Sequence, residues 1–168
     1  QRRLTATYYA EWVLGVDRDT TQAYVIPEYD VASQALLARN PYVADFGERV
    51  AFMAASKEPH GLTAGRTEFL GRLGDPGRPA ALWRVGLSGT VEPGHDPCAA
   101  IQVHLDIEPG QSQVIHFVLG QGRDREEAVA LAKRYRDPGQ VDKAWSKTVR
   151  SWDERLGAVQ VDTPDEAM

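Results

Sequence analysis

The sequence predicts a mainly β fold, a large antiparallel β-sandwich followed by C-terminal linker helices. Before residue 122, most segments alternate apolar and polar residues or form short apolar runs, which are the two patterns typical of strands. Gly and Pro are dense between these segments, and helical spacing appears only after Gly122. Strands therefore come first and helices last. That order leaves no crossover helices for a parallel sheet and makes a sandwich the simplest architecture.

The first 56 residues predict strands separated by polar turns. Residues 4–15 are rich in β-branched and aromatic side chains and place Tyr8 and Trp12 on one face, which we expect to be buried. Residues 49–56 form a near-continuous apolar run, which predicts a strand covered on both sides. In order, strands are predicted at 4–15, at the end of the polar stretch 16–27, at 34–39 and at 49–56, with a turn at 28–33.

The middle of the chain predicts loops and then a hairpin. Residues 57–96 are dense in Gly and Pro, and we expect loops there, with at most a short helical turn around Thr67 to Leu70. A strand is predicted at 97–107. The Pro-Gly pair that follows fits the centre of a type II turn. Residues 112–120 are therefore expected to return as the partner strand of a hairpin.

The last part of the chain predicts two helices. Ala128, Leu131, Ala132 and Tyr135 recur at helical spacing behind an acidic first turn, and Asp137-Pro-Gly ends this helix. A second helix is expected from about Val141 to Arg155. The tail then predicts a short strand and a Thr-Pro-Asp-Glu helix start, which we interpret as the approach to a further domain. We divide the chain into a sandwich at 1–122 and a helical linker at 123–168.

Composition excludes several classes of function. The net charge of -5 and the pI near 5.4 argue against a nucleic-acid partner, which would require a basic face. The single cysteine excludes a disulfide framework and a multi-cysteine metal site, and it suits a reducing compartment. No apolar run approaches the roughly 20 residues of a membrane span, and the first residues lack a signal core. We therefore expect a soluble domain.

Candidate chemical groups are present, but none forms a complete site in the sequence. The histidines lie at positions 60, 95, 104 and 116 without helical i, i+4 spacing, so we predict no metal site, although His104 and His116 would face each other across the predicted hairpin. Cys98 is expected to be a small buried residue. Carboxylates suited to glycoside chemistry occur at Glu58, Glu68, Asp75, Glu92 and Asp96. Because sequence spacing does not show that any two of them face each other, we predict no catalytic residue.

Several blocks of the sequence, in order, resemble one known family. They are Tyr8-Tyr-Ala-Glu-Trp-Val-Leu-Gly15, Leu37-Ala-Arg-Asn-Pro-Tyr42, Val50-Ala-Phe-Met-Ala-Ala-Ser56, Gly65-Arg-Thr-Glu-Phe-Leu-Gly71, Leu87-Ser-Gly89, Asp96-Pro-Cys-Ala-Ala-Ile-Gln102, Phe117-Val-Leu-Gly-Gln-Gly122 and Trp152-Asp-Glu-Arg-Leu-Gly157. The series covers essentially the whole chain. It resembles the N-terminal β-sandwich and linker of the cellobiose-phosphorylase-like glycoside phosphorylases, and most of all the phosphorylase-like region of bacterial cyclic β-1,2-glucan synthases.

The resemblance implies an architecture and a reaction for a parent enzyme. A β-sandwich and a helical linker would precede an (α/α)6 barrel, in which an Asp protonates the leaving oxygen while inorganic phosphate attacks a β-glucoside with inversion. Inorganic phosphate would be the parent's co-substrate, and no other cofactor is expected. The sequence lacks the barrel, so no family catalytic acid can be placed on any residue here. Family members are often homodimers in which the sandwich lies near the partner's active site.

Our leading hypothesis is thus a non-catalytic sandwich domain of a β-glucan-processing enzyme, inactive alone, which supports the barrel, dimerisation and the sugar cleft. The parent would be an inner-membrane protein with this domain on the cytoplasmic side. The substrate-binding residues that we predict are Arg66 and Glu68, in a Gly-flanked block, and Asp96. The alternative for Arg66 and Glu68 is that they tie the loop to the sandwich. The alternative functions are a free-standing carbohydrate-binding module, which would hold glucan with its own exposed aromatics, and a complete small glycosidase.

Overall fold

A computed structural model describes residues 1–42, 44–94 and 96–160 of the chain. Within them, seven strands precede two long helices, and two short helices lie between the strands. The strands are β1 (Arg2–Glu11), β2 (Ile26–Asp30), β3 (Ala35–Arg39), β4 (Val50–Ala55), β5 (Gly61–Gly65), β6 (Pro97–Ile107) and β7 (Phe117–Gly122). The helices are α1 (Arg18–Thr21), α2 (Arg66–Leu70), α3 (Arg125–Tyr135) and α4 (Pro138–Leu156), with 3-10 turns at Gln22–Tyr24, Ala44–Phe46 and Ala80–Trp83.

The strands form two antiparallel sheets, so the predicted sandwich is confirmed. The first sheet has the order β1-β6-β5, with Tyr8 opposite Ile101 in the β1–β6 pair. The second has the order β2-β3-β4-β7, with Leu36 opposite Met53 in the β3–β4 pair. The alternate residues of both sheets that face inward form one apolar core. Its buried members are Trp12, Val25, Leu36, Ala38, Ala51, Met53, Ala55, Leu62, Ala99, Ile101 and Val103.

Helix α3 covers the outer face of the second sheet. Its small residues Ala128 and Ala132 are fully buried against Phe52 and Ala54 of β4. Every residue of β4 is buried as a result, as its continuous apolar run predicted. Asp124 caps the helix by accepting a hydrogen bond from the Glu127 backbone, and this satisfies one of the free donors of the first turn. Ala at both contact positions allows the helix to lie close to the sheet.

Helix α4 begins at Pro138, three residues earlier than the sequence predicted. Asp137 caps it by accepting a hydrogen bond from the Gly139 backbone, and proline at the first helical position costs no hydrogen bond. The same Asp-Pro-Gly segment that ends α3 therefore starts α4. In contrast to α3, helix α4 has no buried residue among those that the structure describes. The predicted Thr-Pro-Asp-Glu helix start at 163–166 lies outside the described residues, and so does His95.

Three predictions for the sheets were wrong. Residues 61–65 form strand β5 rather than a loop, and residues 28–30 belong to β2 rather than to a turn. Residues 112–116 are not a strand, and β7 pairs with β4 of the other sheet instead of returning beside β6. The last difference has a physical reason, because β6 is the central strand of its sheet and both of its edges are occupied by β1 and β5. The chain crosses between sheets, and Ile115 and Phe117 pack into the core as it does so.

The outer face of the first sheet is covered by α2 and the long loop that follows it. Phe69, Leu70 and Ala81 are buried there against Ala100 of β6, and the Tyr9 ring stacks on Phe69 with centroids 4.5 Å apart. We call residues 71–94 the 71–94 loop. It runs beside β5, where the Gly89 amide donates to the Leu62 carbonyl. No helix within the described ranges is both long enough and apolar enough to cross a membrane.

Candidate functional site

Two of the three predicted site residues lie in one cluster at the end of the first sheet. Glu11 ends β1, Arg18 begins α1, Arg66 begins α2, and Asp96 directly precedes β6. Four different segments therefore bring two arginines and two carboxylates together. We call these four residues the four-charge cluster. Its side chains are between 19% and 33% exposed, so that they are accessible from solvent but held in place.

Each arginine of the cluster contacts both carboxylates. Arg66 Nε donates to Glu11 Oε1 at 2.7 Å, and its Nη1 lies 3.5 Å from Asp96 Oδ2. Arg18 Nη2 donates to Asp96 Oδ1, and its Nε lies 3.6 Å from Glu11 Oε2. Arg18 also donates to the carbonyls of Trp12 and Pro97 at 3.0 and 3.1 Å. These bonds fix its guanidinium between the end of β1 and the start of β6. The cluster is therefore a closed network that joins β1, α1, α2 and β6.

The environment keeps Glu11 in its ionised form. Burial alone would raise the pKa of this carboxyl, but hydrogen bonds from Arg66 and the Tyr9 hydroxyl, with the charges of Arg18 and Arg66, lower it below its usual value. The same ion pair raises the pKa of Arg66. A general acid needs a raised pKa so that it carries a proton at neutral pH. Glu11 is thus suited to hold a cation or a hydroxyl donor, and not to protonate a leaving group.

Glu68 lies outside the cluster and fixes the 71–94 loop. Its carboxylate accepts hydrogen bonds from the Thr63 hydroxyl at 2.6 Å and from the Ser88 amide and hydroxyl at 2.8 and 2.7 Å. Burial raises the pKa of Glu68, but these bonds outweigh burial and lower the pKa overall. Every contact here is internal to the domain. The sequence analysis gave as one alternative that Glu68 ties its loop to the sandwich, and these contacts are of that kind.

A small cavity lies between Glu68 and Asp96 of the cluster. It has a volume of about 270 Å³ and is lined by Gly65, Thr67, Glu68, Thr90, Glu92 and Asp96. This is slightly below the roughly 300–1,000 Å³ typical of small-molecule sites.

The sequence indicated the two loops that meet at this cavity but missed Glu11 and Arg18 of the cluster. Glu11 could have been found from the sequence, because it lies two residues after Tyr9 and so shares the outer face of β1 with it. No pattern in the sequence indicated that Arg18 joins the cluster.

The remaining candidate groups are held in other ways. Burial raises the pKa of Cys98 to about 12, which leaves the thiol fully protonated at neutral pH and suits a core residue. His116 does not face His104 across a hairpin, since its Nε2 donates to the Tyr135 carbonyl at 2.8 Å. The His104 ring stacks instead on His60. Within residues 1–42, 44–94 and 96–160, no group of three or more His, Cys, Asp or Glu side chains is arranged to hold a metal.

The chain is similar in sequence to parts of three larger proteins whose names describe enzymes acting on carbohydrates. It is 35% identical over 167 residues to the cyclic beta-(1,2)-glucan synthase NdvB of Rhizobium meliloti (strain 1021), a match covering 99% of the chain and 6% of that protein. It is 25% identical to the N,N'-diacetylchitobiose phosphorylase of Vibrio proteolyticus over 76% of the chain and 16% of that protein. It is also 25% identical to the solabiose phosphorylase of Paenibacillus borealis, over 67% of the chain and 15% of that protein.

The matched region thus spans only 6% to 16% of the length of these relatives. The family profile described as "Glycosyl hydrolase 94, supersandwich domain" matches residues 1–138, which include both sheets and all of α3. The resemblance noted in the sequence is confirmed by this match. The chain belongs to the glycosyl hydrolase 94 supersandwich-domain family, a non-catalytic domain of glycoside phosphorylases and of glucan synthase homologues.

Proposed function

We propose that this domain supports the catalytic barrel of a β-glucan-processing enzyme and borders the sugar cleft of that enzyme. The names of the relatives support the substrate class, since one is a glucan synthase and two are disaccharide phosphorylases. The parent would transfer glucosyl groups by inverting phosphorolysis, with inorganic phosphate as co-substrate. The described carboxylates Glu11 and Glu68 are both held ionised by their neighbours, which agrees with chemistry supplied elsewhere in the parent.

The observation that carries this proposal is an uncovered apolar stripe on α4. Trp145, Val149, Trp152 and Leu156 follow one another at 4-3-4 spacing, which places them on one face of the helix. These side chains are between 41% and 72% exposed, although tryptophan and leucine are normally covered in a folded protein. A stripe of this kind is the seam along which one helix packs against another. We assign it to contact with a helix of the catalytic barrel.

Replacing Trp145 and Trp152 with glutamate tests the stripe. In the full-length parent, the pair of substitutions is expected to lower the melting temperature and the phosphorolysis rate together, because buried tryptophans at interfaces often contribute about 2 kcal/mol or more each. In the 168-residue chain alone, the same substitutions should leave the melting temperature unchanged, since both rings are already exposed. The measurements are thermal unfolding of both proteins and release of glucose 1-phosphate by the parent.

Lys147→Glu provides the matched control on α4, because Lys147 is exposed and lies outside the stripe. It should leave the parent's stability and kinetics as they are. A parent that tolerates both tryptophan substitutions with unchanged stability and rate would contradict the docking role. Tight binding of β-1,2-glucan by the chain alone, abolished by the same substitutions, would favour the free-standing binding module instead.

We further propose that the four-charge cluster and the neighbouring cavity face the sugar. Glu68, Thr67 and Asp96 supply acceptors around one small space. Arg66 lies in sequence between the lining residues Gly65 and Thr67 and offers a planar set of donors to hydroxyl or phosphate oxygens. The support is geometric: residues from two predicted loops line one cavity, and Arg66 retains 31% exposure of its side chain within the network. The alternative is a purely structural network that only joins segments of the domain, and substitutions would then change stability without changing the kinetics.

Arg66→Ala and Glu68→Ala in the full-length parent distinguish a cluster that borders the sugar cleft from one that is only structural. If the cluster borders the cleft, Arg66→Ala raises the KM for the glucan about tenfold or more while most of the native melting temperature is kept. A lost hydrogen bond to a charged group costs about 1.5–3 kcal/mol, and tenfold corresponds to about 1.4 kcal/mol. Glu68→Ala, which releases Ser88, is expected to lower the melting temperature more than it changes the KM. A loss of stability with unchanged kinetics in both variants would leave the cluster a purely structural role.

We propose two further properties of the parent, namely a homodimer and an inner-membrane protein with this domain on the cytoplasmic side. The single cysteine supports the location, because it is free and buried and no disulfide is required for the fold. The dimer is supported only by the family resemblance. Light scattering of the detergent-solubilised parent and reporter fusions at residue 160 would test these two properties independently.

A further inference from the structure

Two histidines form a stacked pair on the outer face of the first sheet. The rings of His60, which precedes β5, and His104, in β6, lie with their centroids 3.5 Å apart and their planes inclined by 30°. His60 is exposed, whereas His104 is partly covered. His104 Nδ1 lies 3.1 Å from the Thr5 hydroxyl of β1. The pair therefore bridges β1, β6 and the segment that enters β5.

His60 also connects the sheet to the 71–94 loop. Its Nε2 lies 2.9 Å from the Val85 carbonyl oxygen. Because a carbonyl oxygen only accepts, this ring nitrogen must carry the hydrogen of the bond. The contact is close on the loop side as well, since a Cβ added at Gly86 would lie 3.3 Å from the same nitrogen. The loop thus contacts His60 through Val85 and Gly86.

The charges around the pair are mostly positive. Lys57, from the β4–β5 connection, donates through Nζ to the His104 carbonyl at 2.7 Å, and Arg3 approaches from β1. The one acidic group from β6 that acts on His104 is Asp106, and Arg3 already occupies it with a 2.8 Å ion pair. The loop contributes only backbone atoms to the contact at Val85 and Gly86. A proton added to His104 would therefore meet like charges with little compensation.

We infer that the His60–His104 stack is a pH-dependent latch that holds the Val85 segment of the 71–94 loop against the sheet. When His104 takes up a proton, its charge lies in contact with the His60 ring and near Lys57 and Arg3, so the stacked arrangement is disfavoured. His60 then leaves the position from which its Nε2 donates to the Val85 carbonyl. The rest of the loop stays in place, because Ser88 is bound to Glu68 and Gly89 to Leu62. The latch acts within the 168-residue chain and does not depend on the function proposed for the parent.

The direction of the response follows from His104. Burial, the charge of His60 and the nearby Arg3 lower the pKa of this imidazole below its ordinary value near 6.5. The folded latch therefore binds fewer protons than the released one. Its stabilising contribution is complete above about pH 6.5 and is lost as the pH falls through the depressed folded value. Acidification should open the latch, and a rise in pH should close it.

Hydrogen exchange of the 168-residue chain at about pH 7.5 and about pH 5 tests the latch. After correction for intrinsic rates, a peptide covering residues 79–90 should exchange about fivefold faster at the lower pH, because like charges in contact disfavour the closed state. A peptide from β4, in which every residue is buried, serves as the reference for global unfolding and should show no change. His104→Gln removes the titrating ring, so the response should disappear. His60→Gln retains an amide donor for Val85 and should also be insensitive to pH.

His116→Gln is the matched control, because His116 bonds to Tyr135 of α3 and lies away from the loop. It should keep the wild-type pH response of the 79–90 peptide. An unchanged exchange rate of this peptide between the two pH values in the wild type would overturn the latch. A pH response that persists in both His104→Gln and His60→Gln would overturn it equally, since another group would then have to be responsible.

Discussion

Replacing Arg136 with alanine is expected to destabilise the domain by about 3 kcal/mol, among the largest effects of any side-chain truncation outside the apolar core. The residue caps the end of α3, and its guanidinium reaches across to two segments of the second sheet. Its Nε donates to the Ala55 carbonyl at 2.7 Å, and Nη1 donates to the Ser33 carbonyl at 3.1 Å. Nη2 donates to the Gln34 side chain. Both Ala55 and Ser33 are almost fully buried, so a truncated side chain removes donors that water replaces poorly.

Two variants make this prediction specific. Arg136→Lys retains the charge but offers no planar fork, and it should recover only part of the lost stability. Arg134→Ala, on an exposed position of the same helix, removes a ring contact with Tyr135 and should change the free energy of unfolding by at most about 0.5 kcal/mol. Urea unfolding of the 168-residue chain measures all three. Equal midpoints for Arg136→Ala and Arg134→Ala would mean that the three bonds do not anchor α3.

The sequence predicted those parts of the fold in which local pattern and tertiary environment agree. The long apolar run of β4 requires cover on both faces, and the structure supplies the core on one side and α3 on the other. The strand predicted at 97–107 is β6, whose alternation separates Ile101 and Val103 in the central core from Ala100 on the outer face. Strand β5 was missed because it is five residues long and begins and ends with glycine. Its pairing with β6 outweighs the poor strand propensity of those glycines.

Strand pairing was the least predictable feature. A turn after β6 suggested a hairpin, and that turn exists, since the Gln111 amide donates to the Glu108 carbonyl. Which edge the returning chain joins depends on strands far away in sequence, and β1 and β5 already occupy both edges of β6. The site shows the same limit. Arg66 and Asp96 were selected from their own loops, whereas Arg18 joins them through α1, whose position no local pattern specifies.

Replacing Gly122 with alanine is expected to cost about 3 kcal/mol, because one methyl group would separate α3 from the second sheet. Gly122 ends β7, opposite Val50, at the point where the chain turns into α3. A Cβ there would lie 2.4 Å from the Ala128 backbone nitrogen and 2.8 Å from the Asp124 carbonyl oxygen. Backbone atoms of a helix turn cannot rotate away as a side chain can. The helix must shift, and the shift disturbs the contact of Ala128 and Ala132 with Phe52.

Gly139→Ala is the matched control for Gly122→Ala. Its Cβ would meet only the Asp137 carboxylate, at 3.4 Å, and alanine is favoured over glycine inside a helix by about 0.5–1 kcal/mol. We therefore expect Gly139→Ala to leave the chain equally or slightly more stable. Urea unfolding gives both changes, and hydrogen exchange of α3 peptides shows whether the helix has loosened. If Gly122→Ala were as stable as the wild type, with α3 equally protected, the close approach of α3 to β7 would not be a requirement of this fold.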